Sequence, residues 1–508
     1  MSLRAPHFPI VYLRGFAATM GEIEDTVSTP YMGFNLGSTK IRQDFENRVR
    51  RFIFESPLLR LMKDEGYVDA FRNGDFPPPE TRVPARSVWV FRYYEKDSKS
   101  LGDGKRDEIE DYAADLEAFL ERIRDQVAGD DAAERKRFRV HLVAHSMGGL
   151  IVRSFLQRTR RGKPALVDKV YTYGTPHGGI EVAGHDVPDL GRFDRLRIGN
   201  FNPARMREFL GLDADADVRS LDGAFPPERF FCFVGTNYRD YAAAGGMAKK
   251  LTGPFGDGLV LMKNAVVTSA PRAFAHRSHS GPFGLVNSEE GYQNLRRFLF
   301  GNWRVEGLLA VDELTLPKRV EKKKRDGHRI RASYNIELGL SVRGGGVRLS
   351  ERRVSQASAL RKSYERLRKD PRPVHLFTTY LHEGARMRDS GDRALAFALE
   401  LGVEVPVFEV DQRFWFDGHF EGAVLWRDTL SFELRTGGSR MSLRYGLVSR
   451  SGVGVANRRV TLTEPDAAGT REVEIPVGFP ADTREARKPR PGLCARLLLR
   501  ISPWEEVA

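Results

Sequence analysis

Through the first 300 residues, short runs of apolar, β-branched and aromatic side chains alternate with longer stretches whose apolar positions recur every three to four residues. The runs at 8–13, 87–94, 138–143, 166–173, 229–234 and 259–268 read as strands. Residues 107–127 read as a helix, with Ile109, Tyr112, Leu116, Phe119, Leu120 and Ile123 on one face and acids in the first turn. A second amphipathic stretch covers 150–160. A closing helix follows Asn287 and Glu290, which suit a capping box; Tyr292, Leu295, Phe298 and Leu299 recur at helical spacing before Gly301-Asn302 ends it. Strands and helices alternating in this way predict a mostly parallel sheet with helices on both faces.

Two stretches interrupt the rhythm: 26–86, with Pro77-Pro78-Pro79 near its end, and 180–227. Both leave the carboxyl ends of strands, where an open α/β sheet forms its site, so both are candidate walls and lids. Plain structural insertions are the alternative. After residue 304, strand-like runs at 330–342, 373–381, 394–410, 430–435, 440–448, 458–462 and 493–501 are separated by Gly, Pro, Asp and Asn turns. Residues 357–368 fit one helix. The expectation is an α/β domain over 1–303 followed by a mainly antiparallel β-sandwich over 304–508.

At 508 residues the chain exceeds one comfortable core, in keeping with two domains. With 41% hydrophobic and 29% charged residues it has the composition of a soluble globular protein. No apolar run approaches the roughly 20 residues of a membrane span, and the patch 8–13 is too short for a secretory core. A cytoplasmic protein is therefore expected. Cys232 and Cys494 support neither a disulfide framework nor a metal site. The net charge of +13 raises nucleic acid and anionic membrane as partners. Most bases are scattered beside acids, and the densest cluster, 318–331, has no interleaved aromatics. It reads as a solvated hairpin or linker. Attraction of the basic C-terminal half to an anionic membrane surface is the functional alternative, and no nucleic acid is expected.

The chemistry centres on Ala144-His145-Ser146-Met147-Gly148-Gly149, set directly after the run 138–143. A short strand ending in small-x-Ser-x-Gly and continuing as a helix describes a nucleophile elbow, a tight turn that exposes the serine hydroxyl. An activated serine needs a histidine to take its proton, an acid to hold that histidine, and donors for the oxyanion. In the chain order serine, acid, histidine, the favoured acid is Asp257, in Gly256-Asp257-Gly258; Asp240 is the alternative. A plain Asp-Gly turn is the structural reading of Asp257. Asp168 starts a strand and would point away. His276 and His279 share one loop; His279 is favoured because it enters a Ser-Gly-Pro turn, and His276 is the alternative base. The oxyanion would be held by the backbone amides of Met147 and of Phe16, in the turn after the first strand. His141, His145 and His177 receive packing roles.

Four stretches resemble α/β-hydrolase lipases and esterases, especially the bacterial branch akin to GPI-inositol deacylase-like lipases. They are Val11-Tyr12-Leu13-Arg14-Gly15-Phe16, the elbow at 144–149, Tyr173-Gly174-Thr175-Pro176-His177-Gly178-Gly179, and 257–260 with His279-Ser280-Gly281. Where that family commonly has His-Gly in the oxyanion turn, this chain has Arg14-Gly15. The resemblance, which covers about the first 300 residues, implies an α/β-hydrolase fold, carboxylic ester hydrolysis through an acyl-enzyme, and no metal or organic cofactor. Phe34, Phe45, Phe52, Phe54, Phe201, Phe209 and Phe225 all fall in the two insertions and suit a lipid-like ester, with local core as their bland alternative. Two other functions use the same features: an acyltransferase with the same serine, and a membrane- or partner-binding protein with a hydrolase-derived domain.

Overall fold

The apolar runs of the first 300 residues become the strands of a single sheet. The computed structural model describes all residues except 1–2, 18, 38, 54, 72–74, 183, 187–197, 242–252, 386–393, 411–417, 437–440, 479–491 and 506–508. It divides into two units, Met1–Phe300 and Gly301–Ala508.

In the first unit the sheet strands, in chain order, are β1 (Ile10–Leu13), β2 (Val68–Asp69), β3 (Ser87–Phe91), β4 (Val140–His145), β5 (Val167–Tyr173), β6 (Phe230–Gly235) and β7 (Arg272–Ala275). Their spatial order is β7-β6-β5-β4-β1-β3-β2, and every pairing is parallel. β1, β3 and β4 are buried along nearly their whole length, which explains their near-continuous apolar sequences. Helix α1 (Ile109–Ala128) starts at a capping box of Glu108 and Asp111 and buries Ile109, Tyr112, Leu116, Leu120 and Ile123. Helix α2 (Met147–Ser154) follows β4, and helix α3 (Glu289–Phe300) closes the unit. This is the α/β-hydrolase fold. The chain runs β1 to β3 on one side and then crosses to β4 on the other, so the loops after β1 and β4 diverge from neighbouring strand ends. In open α/β sheets a site forms at such a switch point, beyond the carboxyl ends of the strands.

Several sequence expectations need correction. Residues 259–268 form turns rather than a strand. The amides of Leu259 and Val260 bond to the Asp257 carboxylate, at 3.1 and 2.8 Å, so an Asp-centred turn captures backbone that a strand would need. The true last strand, β7, is shorter and later. The stretch 26–86 is more than a wall. It holds the helix Pro57–Glu65, capped by Ser56 and stopped by Gly66 in the left-handed region, and then β2, the edge of the sheet. The strand read at 87–94 stops at Phe91, and Tyr94–Asp97 is a helical turn. Ser288, not Asn287, caps α3, its Oγ accepting the Gly291 N–H at 2.9 Å, while Glu290 pairs with Arg277. Within the insertions, residues 38, 54, 72–74, 183 and 187–197 lie outside the described residues, as does residue 440 of the run 440–448.

The second unit is antiparallel throughout. Its strands are β8 (Trp303–Thr315), β9 (Ile330–Val342), β10 (Arg348–Arg352), β11 (Leu360–Ser363), β12 (Val374–Leu381), β13 (Leu395–Val410), β14 (Gly418–Arg435), β15 (Ser442–Leu447), β16 (Arg458–Val460), β17 (Arg471–Gly478) and β18 (Gly492–Pro503). One sheet runs β12-β8-β18-β17; the other runs β10-β9-β13-β14-β15-β16, with β11 also pairing with β9. Alternating residues such as Leu497, Leu499 and Ile501 from the first sheet and Leu338, Leu340 and Leu399 from the second share one core. The basic cluster 318–331 is not a hairpin or linker; it opens with helix α4 (Lys318–Arg325), anchored by buried Val320. The helix read at 357–368 is instead β11 followed by helix α5 (Tyr364–Lys369), because Ser363 caps the Arg366 N–H at 3.2 Å and ends the strand there.

Candidate active site

Ser146 stands between β4 and α2 with φ 50° and ψ −123°, a conformation rarely adopted by residues with a side chain. Its N–H bonds to the Tyr173 carbonyl at 2.9 Å, and its carbonyl accepts the Gly149 N–H at 3.0 Å, so the bend is held on both sides. Gly148 is required by space. A Cβ there would lie 2.6 Å from the Arg14 carbonyl oxygen and 2.8 Å from that of Leu13. The small residues of the motif thus let the start of α2 press against the turn after β1.

The loop after strand β7 delivers His279, and the connection between β6 and β7 delivers Asp257. His279 Nε2 lies 2.9 Å from Ser146 Oγ, and His279 Nδ1 lies 2.9 Å from Asp257 Oδ2. All three residues are buried. The His279 N–H also bonds to the Asp257 carbonyl at 2.9 Å, tying the two loops together. The Asp257 oxygens divide the labour: Oδ1 accepts the two turn amides described above, and Oδ2 faces the imidazole. The structural turn therefore aims the carboxylate. With Nδ1–H donating to that carboxylate, Nε2 is left as the acceptor for the serine hydroxyl.

The alternatives lie elsewhere. Asp240 is exposed and accepts from Asn237 Nδ2 at 2.6 Å. His276 is exposed, its Nδ1 3.3 Å from Thr236 Oγ1. Asp168 pairs with Arg229 at the opening of β5. Among the described residues no group of three His, Cys, Asp or Glu side chains could hold a metal ion. Cys232 is buried in β6, and burial pushes its thiol up to about 11.

The turn after β1 is braced by two phenols that sequence reasoning missed. Tyr94 Oη donates to the Gly15 carbonyl at 3.1 Å and accepts the Ala17 N–H at 2.7 Å; Tyr93 Oη donates to the Arg14 carbonyl at 2.9 Å. Burial raises the Tyr94 phenol to about 12 and lifts that of Tyr93 well above the usual phenol range, so both stay protonated donors at neutral pH. The available signal was position: two tyrosines follow β3, the direct neighbour of β1. Among the described residues, the N–H groups of Phe16 and Met147 have no intramolecular acceptor. Met147 is also the first residue of α2, whose dipole favours negative charge at that end.

His145 also has a larger part than packing. Its Nε2 lies 3.0 Å from the His279 carbonyl, and the two rings stand 4.9 Å apart. Burial, then His279 and Arg14, hold His145 well below the usual histidine range, so its ring stays neutral. Tyr241 lies edge-on over His279 at 5.6 Å. The stretch Thr175–Gly179 supports the elbow from behind: Arg153 of α2 donates to the His177 carbonyl at 3.1 Å, and His177 lies 3.2 Å from Thr172 Oγ1. Of the insertion aromatics, Phe201 packs edge-on against Phe16 at 5.5 Å. Phe34, Phe209 and Phe225 are buried as local core, whereas Phe45 is 92% exposed. Phe54 and the side chain of Phe52 lie outside the described residues.

No family model and no curated protein matches this chain. Among solved structures it is similar to the lipase BlEst2 of Bacillus licheniformis, at 18% identity over 54% of this chain and 86% of that one, with a TM-score of 0.28. It is also similar to the phospholipase PlaB of Legionella pneumophila, at 12% identity over 82% and 90% with a TM-score of 0.32. The lin2722 product of Listeria innocua matches at 10% identity over 58% and 94%, with a TM-score of 0.26. Likeness at these scores decides nothing. The fold class rests on the strand order and on the elbow.

Proposed function

We propose that this chain is a serine hydrolase of carboxylic esters, acting on lipid-like acyl esters. One observation carries the reading: a serine at an elbow, an imidazole and a carboxylate stand in series at 2.9 Å and 2.9 Å, in a water-poor setting. In this reaction Ser146 Oγ attacks the ester carbonyl while His279 Nε2 takes its proton. Asp257 keeps Nδ1 protonated and stabilises the imidazolium. The Phe16 and Met147 amides hold the oxyanion of the tetrahedral intermediate. His279 then gives the proton to the departing alcohol oxygen, leaving an acyl-Ser146 ester. Water, deprotonated by His279, attacks that ester and releases the acid and the free serine. The test is an acyl-length series of chromogenic esters on wild type and on Ser146→Ala. Turnover by wild type with loss in Ser146→Ala is expected, and the chain-length optimum sizes the acyl site. Equal turnover by both proteins would overturn the reading.

A further inference from the structure

Ten of the net thirteen positive charges come from two short pieces of the second unit. Residues 318–331 and 361–372 together carry fourteen Lys and Arg against four Asp and Glu. Separate in sequence, they meet around the buried ring of Tyr364. Lys324 Nζ stands 5.6 Å and Arg368 Cζ 6.0 Å from its centre, and Arg329 Nε donates to Glu365 Oε1 at 3.3 Å. Residues of both pieces also line one cavity of about 330 Å³. Three of the four acids already have local partners: Glu321 has Lys324 and Arg325, Glu365 has Arg329 and Lys369, and Asp370 has Arg372. The excess faces solvent, with Lys318, Arg319 and Lys322 of α4 exposed and Arg366 and Arg368 of α5 exposed as well.

We propose that this joined surface of α4 and α5 binds anionic lipid headgroups. Each lysine or arginine near an acidic bilayer strengthens attachment by about fivefold, so the exposed bases of α4 and α5 acting together suffice for strong adsorption. The mode of contact follows from the helix itself. Val320 is the one buried side chain of α4, leaving the helix no apolar face to insert between acyl chains. Attachment is therefore electrostatic and salt-sensitive, without insertion. Single-stranded nucleic acid is disfavoured because recognition there uses exposed aromatic platforms, and the aromatic between these bases, Tyr364, is buried. The choice of lipid over another polyanion rests on the proposed lipid-like substrate.

The test is co-sedimentation of the full chain with vesicles of phosphatidylcholine alone or mixed with phosphatidylglycerol, at low and high salt. Binding only to the anionic vesicles, released by salt, is expected. The combined variant Lys318→Glu, Lys322→Glu, Arg366→Glu and Lys369→Glu should bind more than about 100-fold more weakly, with unchanged Tm and unchanged turnover of a soluble short-chain ester. If that variant does not fold, the four Gln substitutions should still weaken binding by several hundredfold, at about fivefold per charge removed. Equal binding to phosphatidylcholine alone, undiminished binding by the folded variants, or tighter binding of duplex DNA than of anionic vesicles would each overturn the proposal. Ser146→Ala is expected to bind vesicles as wild type does, so failure of docking and failure of the esterase reading are seen separately.

Discussion

The phenol of Tyr94 donates to the carbonyl of Gly15 across 3.1 Å. That carbonyl belongs to the same planar trans peptide as the Phe16 N–H, and the two groups point in opposite directions. Fixing the carbonyl on one side therefore aims the amide on the other. Tyr94 is in this sense a positioning residue for the proposed oxyanion hole. It acts through the turn, being itself fully buried.

Tyr94→Phe should lower kcat about tenfold with KM nearly unchanged, because a misaimed amide is felt chiefly by the charged intermediate. Loss of the acceptor for the Ala17 N–H should also cost about 1 kcal/mol of stability. Ester kinetics measured beside Tm separates these effects. A lowered Tm with unaltered kcat would leave Tyr94 only a structural role.

Substitutions in the relay should rank in a definite order. Ser146→Ala and His279→Ala are expected to lose about 10⁴–10⁶-fold in kcat, and Asp257→Asn less than Ser146→Ala. His276→Ala should stay within about twofold of wild type, since its ring is exposed and lies by Thr236. Parallel kinetics of the four variants with one soluble ester checks the order. If His276→Ala were the inactive one, the assignment of the base would move.

Much of this site could be read from the chain, for local reasons. An elbow needs small residues at fixed offsets from the serine, and the crowding at Gly148 shows why that demand reaches the sequence. Asp257 was legible as an Asp-Gly turn, and the turn proves to be what aims its second oxygen. The false strand at 259–268 came from the same place: apolar Val260 and Val267 are buried, but Val260 from the turn that this carboxylate organises and Val267 with its N–H on Cys232 Sγ at 3.3 Å. The tyrosine brace and the His145 contact were hidden because they join residues 79 and 134 positions apart, and such pairing has no periodicity. Edge strand β2 was missed for the opposite reason, being only Val68–Asp69. Among the bases, the patch at Tyr364 could not be seen because its halves belong to different helices.

Gly15 offers a steric test of the same turn. A Cβ there would stand 2.7 Å from Ser146 Cβ and 2.7 Å from His145 Nδ1, both closer than non-bonded carbon and nitrogen atoms tolerate. Gly15→Ala should push the elbow and the oxyanion turn apart, lowering kcat/KM by about 10² or more, since small misplacements of reacting groups are costly. Far-ultraviolet circular dichroism should remain that of wild type. Full activity in this variant would show that the turn yields freely and is not held against the serine.

Stability should fall on mild acidification, because several histidines are buried neutral. Burial lowers His141 to about 4, even though Asp168 Oδ2 stands 3.5 Å from its Nδ1 and pulls the other way. His145 and His177 are also held well below the ordinary value, in each case chiefly by burial. A folded-state pKa below the unfolded one means that the unfolded chain binds more protons between the two. The stabilisation is thus complete above about pH 6.5 and is lost as pH falls towards 4. For His141 alone the full effect is roughly 3 kcal/mol. Asp97 acts in the opposite sense. Burial raises it to about 6, so its contribution is present at low pH and lost as pH rises from about 4 to 6. Three fully buried imidazoles outweigh the two carboxyls that burial raises, Asp97 and Glu65, and the net slope favours neutral pH. Urea midpoints at pH 7.5, 6 and 5 should decrease in that order, and His141→Gln should flatten the trend. A midpoint that stays level or rises towards pH 5 would mean that these rings reach solvent and take up protons without unfolding.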